Sequence, residues 1–204
     1  MTGHLAERKR QAGRRAGKTA GDKVFAVAAD LFYGEGIRAV GVETIVNEAG
    51  VAKISLYRSF ASKDDLIVAY LEDRNTGYWR ILDEVLLEHE GNPRAQLRAL
   101  IAYVASRTTK EGYRGCPFIN YAAEFPERSH PGHKVVNANK AEMRRRLTSL
   151  ASAMGSRRPA QLADALFLLI EGAYASSQTL GGREGPAKVL QKAAAALIDG
   201  HLDS

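Results

Sequence analysis

Within six consecutive positions the chain carries Lys53, Ile54, Ser55 and Arg58, which are two cationic donors, a hydroxyl and a bulky methyl surface. Lysine donates to a phosphate or to guanine, arginine serves a phosphate or a base edge, and an isoleucine methyl packs against that of thymine. Further upstream, Arg8, Lys9, Arg10, Arg14, Arg15, Lys18 and Lys23 stand against only Glu7 and Asp22 before Val24. A basic arm of this kind releases counterions from phosphates, and similar arms reach into a minor groove beside a main contact. The bland alternative for the arm alone is a solvated tail. The whole chain has a net charge of +6 and a pI near 9.5, so a polyanion is the natural partner.

A second set of residues points to a different chemistry. Tyr103, Phe118, Tyr121, Phe125, Phe167, Tyr174 and Gln178 combine apolar bodies with a few polar tips, the mixture that lines small-molecule cavities. The expected ligand is lipophilic or aromatic with a polar handle; each aromatic taken singly reads first as a core residue, and the pocket reading concerns the cluster. Cys116 joins this set. It precedes a helix start at Pro117, where the dipole lowers a thiol pKa, but a small buried cysteine is the ordinary reading.

His130 and His133 lie in a loop after Glu124 and Glu127, yet the spacing lacks the cysteines or helical histidine pair of a zinc site. No metal and no cofactor is expected. A GxSxG elbow, a Walker loop and an HExxH motif are all missing, so an enzyme is not indicated.

The elements that must position these residues are helical. With 204 residues and 45% hydrophobic content, the chain can bury a substantial core without staples. The single cysteine excludes an internal disulfide and suits a reducing, cytoplasmic setting. The basic N-terminus lacks the apolar stretch of a signal peptide, and apolar runs such as 165–170 are far too short to span a bilayer. No membrane partner is expected.

Val24, Phe25, Ala28, Leu31 and Phe32 recur at helical spacing within 22–36. Two short helices over 42–49 and 53–60 flank the sharp turn at Gly50-Val51, and Ser62 with Asp64 and Asp65 caps a long fourth helix. Asn92-Pro93 opens a fifth that runs to about Gly112, and 117–125 makes two turns before a loop over 128–132. Val136, Met143, Leu147 and Leu150 stripe another long helix with Lys140, Arg144, Arg145 and Arg146 on its outer side. Two final helices start near Pro159 and Pro186. Strand alternation and repeats are absent, so the fold class is all-α with about nine helices.

Residues 36–63, GIRAVGVETIVNEAGVAKISLYRSFASK, resemble the helix-turn-helix of TetR-family transcriptional regulators. The likeness spans about 24–71. It rests on Phe32 and Gly36, Ile45, the Ala49-Gly50-Val51 turn, Leu56-Tyr57 followed by Phe60, and Ser62-Lys63 leading into Leu66. Ile45, Val51, Leu56 and Phe60 supply a tiny core that tolerates few alternatives. The resemblance implies that 53–59 is the recognition helix, with Lys53, Ile54, Ser55 and Arg58 facing double-stranded operator DNA. It also implies that Tyr57 and Lys63 hold phosphates, and Gly41 and Thr44 complete the expected DNA-contacting set. Gly41 and Ala52 stand where the family often has Ser or Thr, and Ile54 replaces a common Gly, so the operator sequence does not transfer.

The segment 115–133 is similar to the sixth helix and following loop of one subset of the family, a helix that commonly borders the effector pocket. The penultimate helix, with Leu162, Leu166, Leu169 and Ile170, and the last, with Leu190, Ala194, Leu197 and Ile198, need two apolar neighbours. The resemblance implies that they pair with their symmetry mates as a four-helix bundle, making a homodimer on a palindrome. The expected organisation is a basic arm over 1–21, a DNA-binding domain over 22–66, and a ligand-binding and dimerisation domain over 67–204. The function so implied is a repressor released by a small effector. Two other readings stand beside it: a constitutive DNA-binding protein with a filled core, and a small-molecule-binding helical protein with vestigial DNA binding.

Overall fold

The computed structural model describes residues 19–201. The basic residues before Thr19, and with them most of the arm expected to contact DNA, lie outside the described residues. Among those described there are nine α-helices, one 3-10 turn and no strand. The chain divides into two compact units, the first running to Leu66 and the second beginning at Ile67.

In the first unit, helix α1 (Ala20–Glu35) opens with a capping box. Thr19 Oγ1 accepts from the Asp22 amide while the Asp22 carboxylate accepts from the Thr19 amide, satisfying donors that a helix start leaves orphaned. Helices α2 (Val42–Ala49) and α3 (Lys53–Ser59) follow, separated by Gly50 at φ 61°, where the left-handed turn favours a residue without Cβ. Both pack on α1. Ile45 and Leu56 are fully buried beside Val24, Ala28, Phe32 and Val46, each apolar side chain of this size stabilising the fold by roughly 1.5–3 kcal/mol. Phe60 stacks on Phe25 at 6.3 Å. Ser62 then accepts from the Asp65 amide at 3.0 Å and starts helix α4 (Lys63–Leu87).

The second unit contains the rest of α4, then α5 (Pro93–Thr108), α6 (Pro117–Glu124), α7 (Gly132–Ala153), α8 (Pro159–Leu180), a 3-10 turn (Pro186–Val189) and α9 (Leu190–Gly200). Asn92 caps α5 through the Ala95 amide. That helix ends at Thr108, earlier than the apolar pattern suggests, and a turn carries the chain to Gly112. Helices α7 and α8 make the most extensive pairing, and α9 closes on α5 and α8. Asp199 of α9 accepts from Arg94 at 2.7 Å and Arg98 at 2.9 Å, pinning the last helix to α5. The outer side expected for α7 is only partly exposed. Lys140 and Arg146 turn inward at 21% side-chain exposure, because position 140 falls between Val136 and Met143 on the apolar stripe. Arg146 lies over the Trp79 ring at 4.4 Å and pairs with Asp83 and Glu142.

Candidate nucleic-acid interface and inner cavity

Helix α3 buries one residue, Leu56, and turns the others outward. Ile54 is 59% and Tyr57 43% exposed, large apolar surfaces that folding alone leaves in water. Lys53 and Arg58 are also exposed, and Ser55 is half-buried. The backbone at Ala52 caps the helix start without a side-chain oxygen, as the residue type dictates. Gly41 likewise caps α2 by backbone alone, and Thr44 is exposed on the first turn of α2.

One residue in this surface has no counterpart in the sequence reading. Glu43 forms an ion pair with Lys53, and its hydrogen bond and charge raise the lysine pKa above the ordinary value. A pairing across two helices leaves no local spacing signal. Lys63, expected at a phosphate, is half-buried. Its ammonium donates to the Ile37 carbonyl at 2.8 Å and lies 5.9 Å from the centre of the Phe32 ring, so it ties the start of α4 to the end of α1.

The expected ligand-binding residues separate into three groups in the second unit. Cys116, Phe118 and Tyr174 line a small cavity together with Tyr78, Asn139, Lys140, Met143, Ile170 and Glu171. Its volume is about 20 Å³, room for one water. Tyr103 lies beside Tyr78 with ring centroids 6.0 Å apart.

Tyr121 and Phe125 form a separate aromatic cluster. Their rings stack at 4.8 Å, Tyr121 Oη lies 2.6 Å from His130 Nδ1, and His133 Nε2 lies 2.8 Å from the Phe125 carbonyl. The two histidines thereby fasten the loop after α6 to that helix. Gln178 and Phe167 lie apart from both groups. Gln178 is exposed and donates to Arg114 O and Asn120 Oδ1, bracing the turn at Gly115, where φ is 90°. Phe167 is half-buried and outside the cavity.

Within the cavity, Lys140 Nζ is 2.7 Å from Glu171 Oε1, 3.7 Å from Cys116 Sγ and 5.8 Å from the Tyr174 ring centre. Burial pushes the Cys116 thiol pKa up against the opposing pull of Lys140, so the thiol is protonated. Burial also raises the Tyr78 and Tyr174 hydroxyls above the ordinary tyrosine value. A larger hollow of about 510 Å³ opens to solvent between 108–113 and 181–184.

The expected dimer residues also divide. Leu162, Leu166, Ile170, Leu190, Ala194 and Ile198 are buried within the protomer's own core, leaving them no surface to offer a partner. Leu169 and Leu197 are half-buried, and the exposed apolar residues nearby are Leu168 at 70%, Leu180 at 63% and Val189.

An all-helical protein with an exposed recognition-type helix and a separate helical unit enclosing a cavity is the architecture of a ligand-binding transcriptional regulator. Residues 24–70 match the family described as bacterial regulatory proteins, tetR family, and 93–193 match the tetracyclin repressor-like C-terminal domain. The chain belongs to the TetR family of transcriptional regulators, with a helix-turn-helix DNA-binding domain and a ligand-binding type of C-terminal domain.

Among solved structures it is similar to SCO4454, a TetR-family regulator of Streptomyces coelicolor, with 29% identity, a TM-score of 0.80, and coverage of 90% of this chain and 94% of that one. A TetR-type regulator from Streptomyces avermitilis is 26% identical, with a TM-score of 0.78 and coverage of 90% and 98%. The transcriptional regulator AcuR of Cereibacter sphaeroides is 33% identical over 92 residues, a match spanning 45% of this chain and 42% of AcuR. No described helix is long and apolar enough to cross a membrane.

Proposed function

We propose that the protein is a homodimeric cytoplasmic repressor that holds a palindromic operator through α3 and releases it when a small lipophilic or aromatic effector enters the helical core of the second unit. The observation that carries the DNA-binding part is the split of α3 between buried Leu56 and exposed Lys53, Ile54, Tyr57 and Arg58. A helix in the major groove needs such a face, with cations and methyl groups set for base edges and phosphates. Exposed Leu168 and Leu180 on α8 and Val189 in the 3-10 turn support a second copy, since large apolar side chains left in water favour burial. Two copies related by a two-fold axis would set their recognition helices about 34–36 Å apart, one turn of DNA.

Helix α4 supplies the coupling. It is continuous from Lys63 to Leu87 and contributes Tyr78 to the cavity, so a ligand that moves Tyr78 acts on the helix that leaves the DNA-binding unit. An effector preferring the released state by about 2–3 kcal/mol weakens operator binding tens- to hundredfold.

The test is an anisotropy titration against DNA from the upstream intergenic region at several salt concentrations, with Lys53→Ala and Tyr57→Phe. Saturable binding of a dimer, weakened by both substitutions, is the expected result. Weak, sequence-independent binding would sink the reading. The constitutive alternative has one observation in its favour, the near-filled core; it predicts no ligand-dependent change in operator affinity.

A further inference from the structure

The inner cavity has an imbalance of polar groups that describes its ligand. The inference rests on the reading that the second unit carries the effector site. The Tyr78 hydroxyl is buried and makes no hydrogen bond of ordinary geometry, although the Tyr174 hydroxyl interacts with it. A buried donor without an acceptor costs free energy that an arriving acceptor restores.

The other polar groups at the cavity do not meet this need. Glu171 faces Lys140, Asn139 Nδ2 donates to Asn75 Oδ1 at 2.9 Å, and neither residue accepts from the Tyr78 hydroxyl. Lys140 and Glu171 are the charged residues of the lining, and they neutralise each other. A carboxylate or an ammonium entering here would leave one buried charge uncompensated. The rest of the wall is apolar, with Phe118, Met143 and Ile170 facing the space.

We propose that this cavity takes a small uncharged ligand bearing a carbonyl oxygen, which accepts a hydrogen bond from Tyr78 while its apolar or aromatic body lies against Phe118, Met143 and Ile170. The resting volume of about 20 Å³ admits no such molecule, so the ligand enters by parting Tyr78 on α4 from Tyr174 on α8. The same movement that makes room for the ligand therefore displaces the helix shared with the DNA-binding unit.

Four probes of one shape test the class: acetophenone, ethylbenzene, benzoate and benzylammonium. Each is titrated into the full-length protein by calorimetry and thermal melting, with operator affinity read in parallel. Acetophenone is expected to bind and raise Tm, with the other three about tenfold or more weaker, the loss expected for one missing hydrogen bond or one unpaired charge.

Tyr78→Phe removes an unsatisfied hydroxyl and keeps the ring, so it should fold. It is expected to weaken acetophenone about tenfold while leaving ethylbenzene unchanged. Glu171→Gln uncovers the Lys140 charge and is expected to bring benzoate above acetophenone.

Benzoate or benzylammonium preferred by the native protein, indifference of acetophenone to Tyr78→Phe, or no binding by any probe would each overturn the assignment. Binding with the expected selectivity but without change in operator affinity would uphold the ligand class and overturn effector release instead.

Discussion

The two units handle polar groups in opposite ways. In the DNA-binding unit the chemistry is on the outside: Lys53 and Glu43 pair at side-chain exposures of 51% and 68%, where solvent screens both charges. Such a pair is easily exchanged, and a phosphate can take the lysine without exposing a buried carboxylate. In the second unit the Lys140–Glu171 pair is only 21% and 25% exposed, and Tyr78 and Cys116 are enclosed with it. Buried groups are costly to rearrange, so they discriminate among ligands. On the proposed reading, a surface that grips and releases a polyanion and a cavity that recognises one small molecule require these two different treatments.

The largest effect expected from this contrast is on folding. Leu56→Ala removes a fully buried side chain from a core with few others, and is expected to destabilise the first unit by about 2–5 kcal/mol. Calorimetry should show a transition of the first unit moving down while that of the second holds; equal shifts of both would break the distinction between the units.

Next in size is protection of the thiol. Buried, protonated Cys116 should react with iodoacetamide at pH 8 at least tenfold more slowly in the native protein than in urea, a difference read by mass spectrometry. Equal rates would show the second unit to be open around α6.

At the DNA surface, Glu43→Gln should tighten binding about two- to fivefold and steepen its salt dependence by close to one counterion, because Lys53 no longer begins in an ion pair. In a Lys53→Ala background the substitution should lose most of this effect; an undiminished effect would mean that Glu43 acts on DNA directly.

The smallest effect concerns acid stability. Hydrogen bonds from Arg145 and Arg146 hold the Glu142 carboxyl down at about 2. A depressed carboxylate pKa contributes stability that is present above the unfolded value and is lost as pH falls through the folded one. The native protein should therefore lose stability between about pH 4.5 and 2 more steeply than Glu142→Gln, which denaturant melts at several pH values would detect.

Much of the first unit is written in local sequence. Periodic apolar residues, the Gly50 turn, the Ser62 cap and the tight spacing from Ile45 to Phe60 specify three short helices around a small core, because a core of that size admits few arrangements. The recognition helix and its outward residues follow from that period. The second unit shows its helices in the same way, but its cavity is assembled from α4, α6, α7 and α8, which are distant in sequence.

Composition could nominate Cys116, Phe118 and Tyr174, yet it could not exclude Gln178 or join Tyr78 to them, since an aromatic on an apolar stripe looks the same whether its hydroxyl is satisfied or orphaned. Lys140 was recoverable from its place between Val136 and Met143, whereas its partner Glu171 was not. Helix periods and caps are short-range and can be read one residue against the next. The pairing of charges, the burial of Leu166 rather than Leu168, and the burial of the Tyr78 hydroxyl beside Tyr174 depend on which helix packs beside which, and only the tertiary structure decides that.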